Sequence, residues 1–117
     1  MNDLNTVTMI GRLTADPQLK QTQGGGQICS FSIACNHSYS WSNGEKVEEV
    51  SYFNCTAFGK LGEVLNRYAE KGKQVAVEGR LKQRRWQDDI GKNHSAVEIV
   101  VENFQLLGSR NDNDIPV

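Results

Sequence analysis

The chain has 117 residues, enough for one hydrophobic core and too few for two. Hydrophobic residues make up 38% and charged residues 23%, a globular composition, and no run approaches the ~20 apolar residues of a membrane-spanning helix. Thirteen Lys and Arg stand against fourteen Asp and Glu, net −1, so the protein as a whole is not basic and any polyanion site must arise from local charge placement.

In chain order, Met1-Asn2-Asp3-Leu4-Asn5 lacks the basic and apolar regions of a secretory signal, and a cytoplasmic location is expected. Residues 6–13 read as a first strand, with Val7 and Met9 alternating against Thr6 and Thr8. Gly11 interrupts it and predicts a bulge or sharp bend. Asp16-Pro17 opens a turn, and residues 21–26 form a flexible Gly-rich loop. Residues 28–35 form a second strand with Cys29, Phe31, Ile33 and Cys35 on one face. Residues 37–49 read as a polar connection around Asn43-Gly44, a hairpin turn pair on long flanks.

A third strand covers residues 50–58. Residues 60–71 form the one helix, with Leu61, Val64, Leu65 and Tyr68 as its apolar stripe. A fourth strand runs over residues 75–86, a turn over 88–93, and a fifth strand over 96–101 with a continuation to 107. With no βαβ unit, a parallel sheet is not expected. Five strands with one helix between the third and fourth predict an all-β fold, the five-stranded Greek-key OB barrel, carrying a long β-hairpin loop. The domain is expected to span residues 1–108. Residues 109–117 are polar and mildly acidic and read as a short disordered tail.

The chemistry concentrates on strand faces. In the fourth strand Arg80, Lys82, Arg84 and Trp86 share one face, opposite Val75, Val77, Gly79 and Leu81. Residues 79–93 carry five basic and two acidic residues, a local +3. Phosphates would meet the cations and a base would stack on Trp86. In the third strand Tyr52 and Phe58 lie on the polar face with Asn54 and Thr56, away from the core face of Phe53, Cys55 and Ala57. Aromatics on a polar face suit base stacking, although a partner surface would also use them. Tyr39 and Trp41 lie in the polar hairpin, either as stacking groups or folded onto the barrel.

No metal, cofactor or catalysis is expected. Cys29, Cys35 and Cys55 are odd in number, contain no CxxC pair and read as reduced, buried thiols. Cys29 and Cys35 would stand ~20 Å apart on one strand, and neither His37 nor His94 completes a zinc spacing. No carboxylate, His or Ser shows a partner for acid–base or nucleophilic work.

Four blocks, in order, resemble a known family: Thr6-Val7-Thr8-Met9-Ile10-Gly11-Arg12-Leu13 with Asp16-Pro17; Asn54-Cys55-Thr56-Ala57-Phe58-Gly59-Lys60; Lys71-Gly72-Lys73-Gln74-Val75-Ala76-Val77-Glu78-Gly79; and Arg84-Arg85-Trp86. They are similar to bacterial-type single-stranded DNA-binding proteins over residues 6 to about 108. The resemblance implies an OB-fold, assembly as a homotetramer (or a dimer), and single-stranded DNA binding in replication, repair and recombination, associated with the nucleoid. It implies stacking by Tyr39, Tyr52, Phe58 and Trp86, with Trp41 beside them, and phosphate contacts from Arg12, Lys60, Lys73, Arg80, Lys82, Arg84 and Arg85. Tyr39 and Tyr52 stand where the family often has tryptophan. Asp112, Asp114, Ile115, Pro116 and Val117 resemble the family's acidic tip, which recruits replication, repair and recombination proteins. Val117 replaces its final Phe and Asn113 one of its acids, so recruitment is expected to be weakened or retargeted. The alternatives are an accessory OB module acting mainly through protein partners, and an RNA-binding OB module.

Overall fold

Strands form where one side of the chain is apolar, and in the computed structural model they close on that side. The structure describes residues 1–108; the tail residues Asp112, Asp114, Ile115, Pro116 and Val117 lie outside the described residues. The elements in order are β1 (Val7–Leu13), β2 (Gln18–Gln21), β3 (Gln27–Ser40), β4 (Lys46–Phe58), α1 (Gly59–Tyr68), β5 (Gln74–Gln87) and β6 (Asn93–Leu106). Antiparallel ladders join β1 to β5, β5 to β6 and β3 to β4. Two short contacts complete the ring. Arg12 and Leu13 pair with Ala34 and Ile33 of β3, and Cys55 and Thr56 pair in parallel with Ile99 and Val100. The result is the expected five-stranded OB barrel, with the helix between its third and fourth long strands. The parallel contact is only two residue pairs long, and every other ladder is antiparallel, in line with the expectation that no parallel sheet forms. It needs no βαβ crossover because it only closes a Greek key.

β2 is a correction. It lies between the turn read at Asp16-Pro17 and the loop read at residues 21–26, a stretch assigned no strand, and pairs with the first residues of β3. All four of its residues are exposed, so no alternation marks it. Gly11 is not a bulge either. It stays in register opposite Val75, and its missing side chain is explained by β3: a Cβ there would sit 2.8 Å from the Ala34 carbonyl oxygen. The irregularity falls at Glu78/Gly79 of β5.

Cys29, Phe31 and Ile33 of β3, Cys55 and Ala57 of β4, Val75 and Val77 of β5, and Ile99 and Val101 of β6 fill the barrel, all buried. This is the inward set that twofold alternation predicts. The helix packs on β2, β3 and β4 through Leu65, fully buried, with Leu61 against the core and Gly62 close to the Ala57 carbonyl. The expected stripe is shifted. Tyr68 is exposed and Ala69 is buried, and the helix stops at Tyr68, where extended Ala69 returns its N–H to Leu65 O at 2.9 Å.

Beyond the barrel, two hairpins continue as paired ribbons. The β3–β4 ladder runs to Ser40–Lys46 and closes where Trp41 N–H donates to Glu45 O at 2.8 Å. The β5–β6 ladder runs to Gln87–Asn93. Most of residues 37–49, expected as a polar connection, is therefore strand. No apolar alternation is needed there, because cross-strand hydrogen bonds and side-chain pairs hold a ribbon that is wet on both faces. The same reasoning accounts for Leu81, which shares the phase of buried Val77 yet is 44% exposed.

Candidate nucleic-acid interface

The β5–β6 ribbon presents the row expected from alternation. Arg80, Lys82, Arg84 and Trp86 are exposed on one face, and β6 places Val100, Glu98, Ala96 and His94 directly opposite them. Trp86 is 42% exposed. The Arg84 guanidinium carbon lies 4.8 Å from its ring centroid, and the His94 ring stacks on it at 5.4 Å and 19°. His94 Nε2 in turn lies 2.7 Å from Asp88 Oδ2. The Asp88 carboxyl is held below its ordinary range, first by His94 and then by the Lys92 and Ile90 amides.

On β4, Tyr52, Asn54, Thr56 and Phe58 share a face, paired with Ala34, Ser32, Ser30 and Ile28 of β3. Tyr52 and Phe58 are 68% and 45% exposed, so neither serves the core of this chain. A groove of about 350 Å³ on the barrel surface is walled by Thr14, Asp16 and Gln18 of the segment after β1, by Ser30, Ser32, Asn54 and Thr56 of β3 and β4, and by Arg84 and Glu98 of the β5–β6 ribbon. Thr56 Oγ1 donates to Glu98 Oε2 at 3.3 Å across its floor. The groove offers neutral hydrogen-bonding groups with one guanidinium and two carboxylates, and the exposed aromatics and the cationic row lie on strand faces outside it; stackable rings and cations on exposed strand faces suit a flexible polyanion with bases.

Sequence comparison decides the family. The chain matches the single-strand binding protein family over residues 4–107. The chain belongs to that family. A single-stranded DNA-binding protein of Treponema pallidum is 50% identical over 109 residues, covering 93% of this chain and 61% of that protein. One from Borreliella burgdorferi is 43% identical over 110 residues, covering 93% of this chain and 73% of that protein. The chain thus spans about three fifths of the length of the first of these relatives. Among solved structures, a deletion mutant of the single-stranded DNA-binding protein from Thermus aquaticus superimposes with a TM-score of 0.81 at 34% identity, over 92% of this chain and 52% of that one. A Plasmodium falciparum SSB in complex with ssDNA superimposes with a TM-score of 0.85, over 92% of this chain and 97% of that one; at 24% identity it speaks to the fold alone.

Within this single-strand binding fold the expected site residues fall into three groups. Tyr52 and Phe58 are exposed on one face of β4, Arg80, Lys82, Arg84 and Trp86 on one face of β5 with Arg84 lining the groove, and Lys60 lies two residues beyond Phe58 at the start of α1. Tyr39 is a strand residue, not a loop residue. It shares the ribbon face of Cys35 and His37, opposite that of Tyr52. Its hydroxyl donates to Glu49 Oε1 at 3.1 Å, and Trp41, 55% exposed, meets it edge-on at 5.6 Å. A strand touching both tyrosines would have to pass around the ribbon edge.

Arg12 and Lys73 form the third group. Arg12 Nη1 donates to Gly72 O at 3.0 Å and Lys73 Nζ to Gly108 O at 3.3 Å. They stand at the other end of β5 from Trp86, on the far side of the register shift at Glu78/Gly79. Arg85 points to the face opposite Arg84, as alternation predicts, and donates to Gln83 Oε1 at 2.7 Å.

Two residues escaped the sequence reading. His94 and Glu98 join the site only through their register with Trp86 and Lys82. Alternation along β6 alone would have put Glu98 outward, but not opposite a cation. Of the thiols, Cys29 and Cys55 are buried as expected. Cys35 is only partly buried and donates to Ile10 O at 3.1 Å. Burial pushes the Cys55 thiol up to about 12, with Cys35 and Glu98 adding to the shift, so it is inert as a nucleophile at neutral pH. No helix among the described residues is long and apolar enough to cross a membrane.

Proposed function

We propose that this chain binds single-stranded DNA without sequence preference, by stacking bases on Tyr52, Phe58 and Trp86 and meeting phosphates with Arg80, Lys82 and Arg84. The observation that carries the reading is that these aromatics and cations are exposed on strand faces turned away from the core, beside a polar groove that Arg84 lines. Tyr39, Trp41, Lys60 and Arg85 extend the path, and Arg12 and Lys73 supply phosphate contacts to a strand that continues around the barrel. Residues 1–108 are the binding domain. Residues 112–117 are the segment through which replication, repair or recombination proteins would be recruited. The protein works by binding rather than catalysis and assembles with copies of itself, supported by a β1 edge that pairs with β3 only at Arg12 and Leu13.

Tryptophan fluorescence during titration with oligo-dT at two salt concentrations tests this, with duplex DNA as control. Quenching by the single strand that weakens with salt and is absent with duplex is expected. Trp86→Ala should weaken binding by about 1–3 kcal/mol. Unchanged affinity in that variant would remove Trp86 from the path.

A further inference from the structure

We propose that Glu98 is a specificity-determining residue of this interface: the groove it lines seats one base, and its carboxylate takes an exocyclic amino group, as on cytosine, in preference to the carbonyl that thymine and uracil carry there. The inference rests on the single-stranded DNA reading above and adds to it a graded base preference. Arg84 connects the two. Its guanidinium carbon lies 4.8 Å from the Trp86 ring centroid, and its side chain also walls the groove. A strand stacked at Trp86 and neutralised at Arg84 therefore brings a neighbouring base to the groove mouth. At about 350 Å³ the groove stands at the small end of ligand pockets, which run over ~300–1,000 Å³.

Most of the polar groups in the groove are already engaged. Thr14 Oγ1 donates to Ser32 O at 3.4 Å, and Asp16 Oδ1 accepts from the Lys71 amide at 2.8 Å. Thr56, only 8% exposed, donates to Glu98 Oε2 at 3.3 Å. Lys82 stands directly opposite Glu98 in the ladder, but no ion pair of Glu98 and no hydrogen bond to its Oε1 is found among the described residues. Thr56 thus holds one oxygen of a half-buried carboxylate and leaves the other as an acceptor in need of a donor.

The chemistry of the bases decides which one supplies it. A carboxylate can only accept. Cytosine presents N4–H donors where thymine and uracil present O4, an acceptor. Against O4, Glu98 loses a hydrogen bond and sets oxygen lone pairs against each other. A site that bonds a donor rejects the analogue lacking it, because its own polar group is left unpaired. This discrimination is separate from charge. Strands of equal length carry the same phosphates, so repulsion between Glu98 and the backbone is common to them and cancels when two bases are compared.

The test compares oligo-dC, oligo-dU and oligo-dT of one length at slightly alkaline pH, where cytosine is neutral, on the full chain as wild type and as Glu98→Gln. Oligo-dU lacks the thymine methyl and differs from oligo-dC only in the pairing edge. Gln replaces one acceptor oxygen by an NH2 donor, which suits O4 and not N4. Glu98→Gln should therefore tighten binding of dU and dT, while dC gains less or weakens. The ratio of Kd for dU to Kd for dC should fall about three- to tenfold, the scale of one hydrogen bond. Stacking within the free strands is the same for both proteins and drops out. Glu70→Gln removes the same charge at an exposed position outside the groove and should leave the ratio unchanged. Thr56→Val frees the carboxylate without removing its charge and should lower the ratio in part, and Thr56→Ser, which keeps the donor, should hold it. A ratio unchanged or raised in Glu98→Gln would overturn the proposal and leave the DNA reading standing; should that variant fail to fold, Thr56→Val decides in the same way. No binding of any of the three strands by wild type would overturn both.

Discussion

Glu98 is the residue that sits least comfortably in a site for a polyanion. It shares a face with Arg80, Lys82 and Arg84, lies directly opposite Lys82, and accepts a hydrogen bond from Thr56 on the groove floor. Its charge cancels part of the row's attraction. Glu98→Gln keeps an acceptor for Thr56 and removes the charge. We expect Kd for oligo-dT to fall by about two- to fivefold, the scale of one exposed charge interaction. The gain should shrink at high salt, where exposed charges are screened. A salt series of binding isotherms on the variant checks this, and a rise in Kd would mean that DNA does not cross this groove. Trp86 and Phe58 were legible at this scale because a twofold period places large aromatics where the core does not need them.

At the scale of elements, the decisive feature is the bulge in the β5–β6 ladder, where Glu102 of β6 is the extra residue opposite Glu78 and Gly79 of β5. Val77 pairs with Phe104 and Glu78 with Asn103, but Gly79 pairs with Val101, so the register slips by one residue. A bulge of this kind raises the local twist and redirects the strand beyond it. Here it separates the barrel part of β5 from the ribbon that carries Arg80 to Trp86. Gly79 packs so closely on β6 that a Cβ would collide with the Val100 carbonyl oxygen, a backbone atom that cannot swing aside. Gly79→Ala should therefore cost about 1–3 kcal/mol of stability. Urea unfolding would measure the loss, and a variant as stable as wild type would show that the two strands are free to move apart there. Just beyond the break, Asn5 takes the place of a strand partner. Its side chain accepts from Leu81 N–H at 3.0 Å and donates to Leu81 O at 2.8 Å, extending the β1 side of the sheet without extending β1.

For the whole molecule, the ring of five strands closes but one edge stays open. β1 meets β5 along Val7 to Arg12, while on its other side only Arg12 and Leu13 find β3. The remaining residues of that edge have no strand partner among the described residues, and Ile10 is 54% exposed on β1. Unpaired edges with apolar side chains invite pairing with another chain. We expect sedimentation to give a multiple of the 13.1 kDa chain, four copies or two, and Ile10→Asp to lower it. A wild-type species of one chain at micromolar concentration would refute self-association. It would also confine the DNA path to a single barrel.

What the sequence alone determined is what one-sided burial dictates. A strand with one buried face must alternate, so the inward set of Cys29, Phe31, Ile33, Cys55, Ala57, Val75 and Val77 and the outward Tyr52, Phe58, Arg84 and Trp86 could be read from residue phase. The helix was legible for the same reason, although Tyr68 was assigned to its buried side and is exposed. What only the tertiary structure decided depends on pairing between distant segments. The exposed β2, the strand content of residues 37–49 and the face of Tyr39 leave no burial pattern along the chain. The parallel closure at Cys55–Ile99 and the placing of His94 on Trp86 and Glu98 beside Lys82 are set by register, which no local pattern specifies.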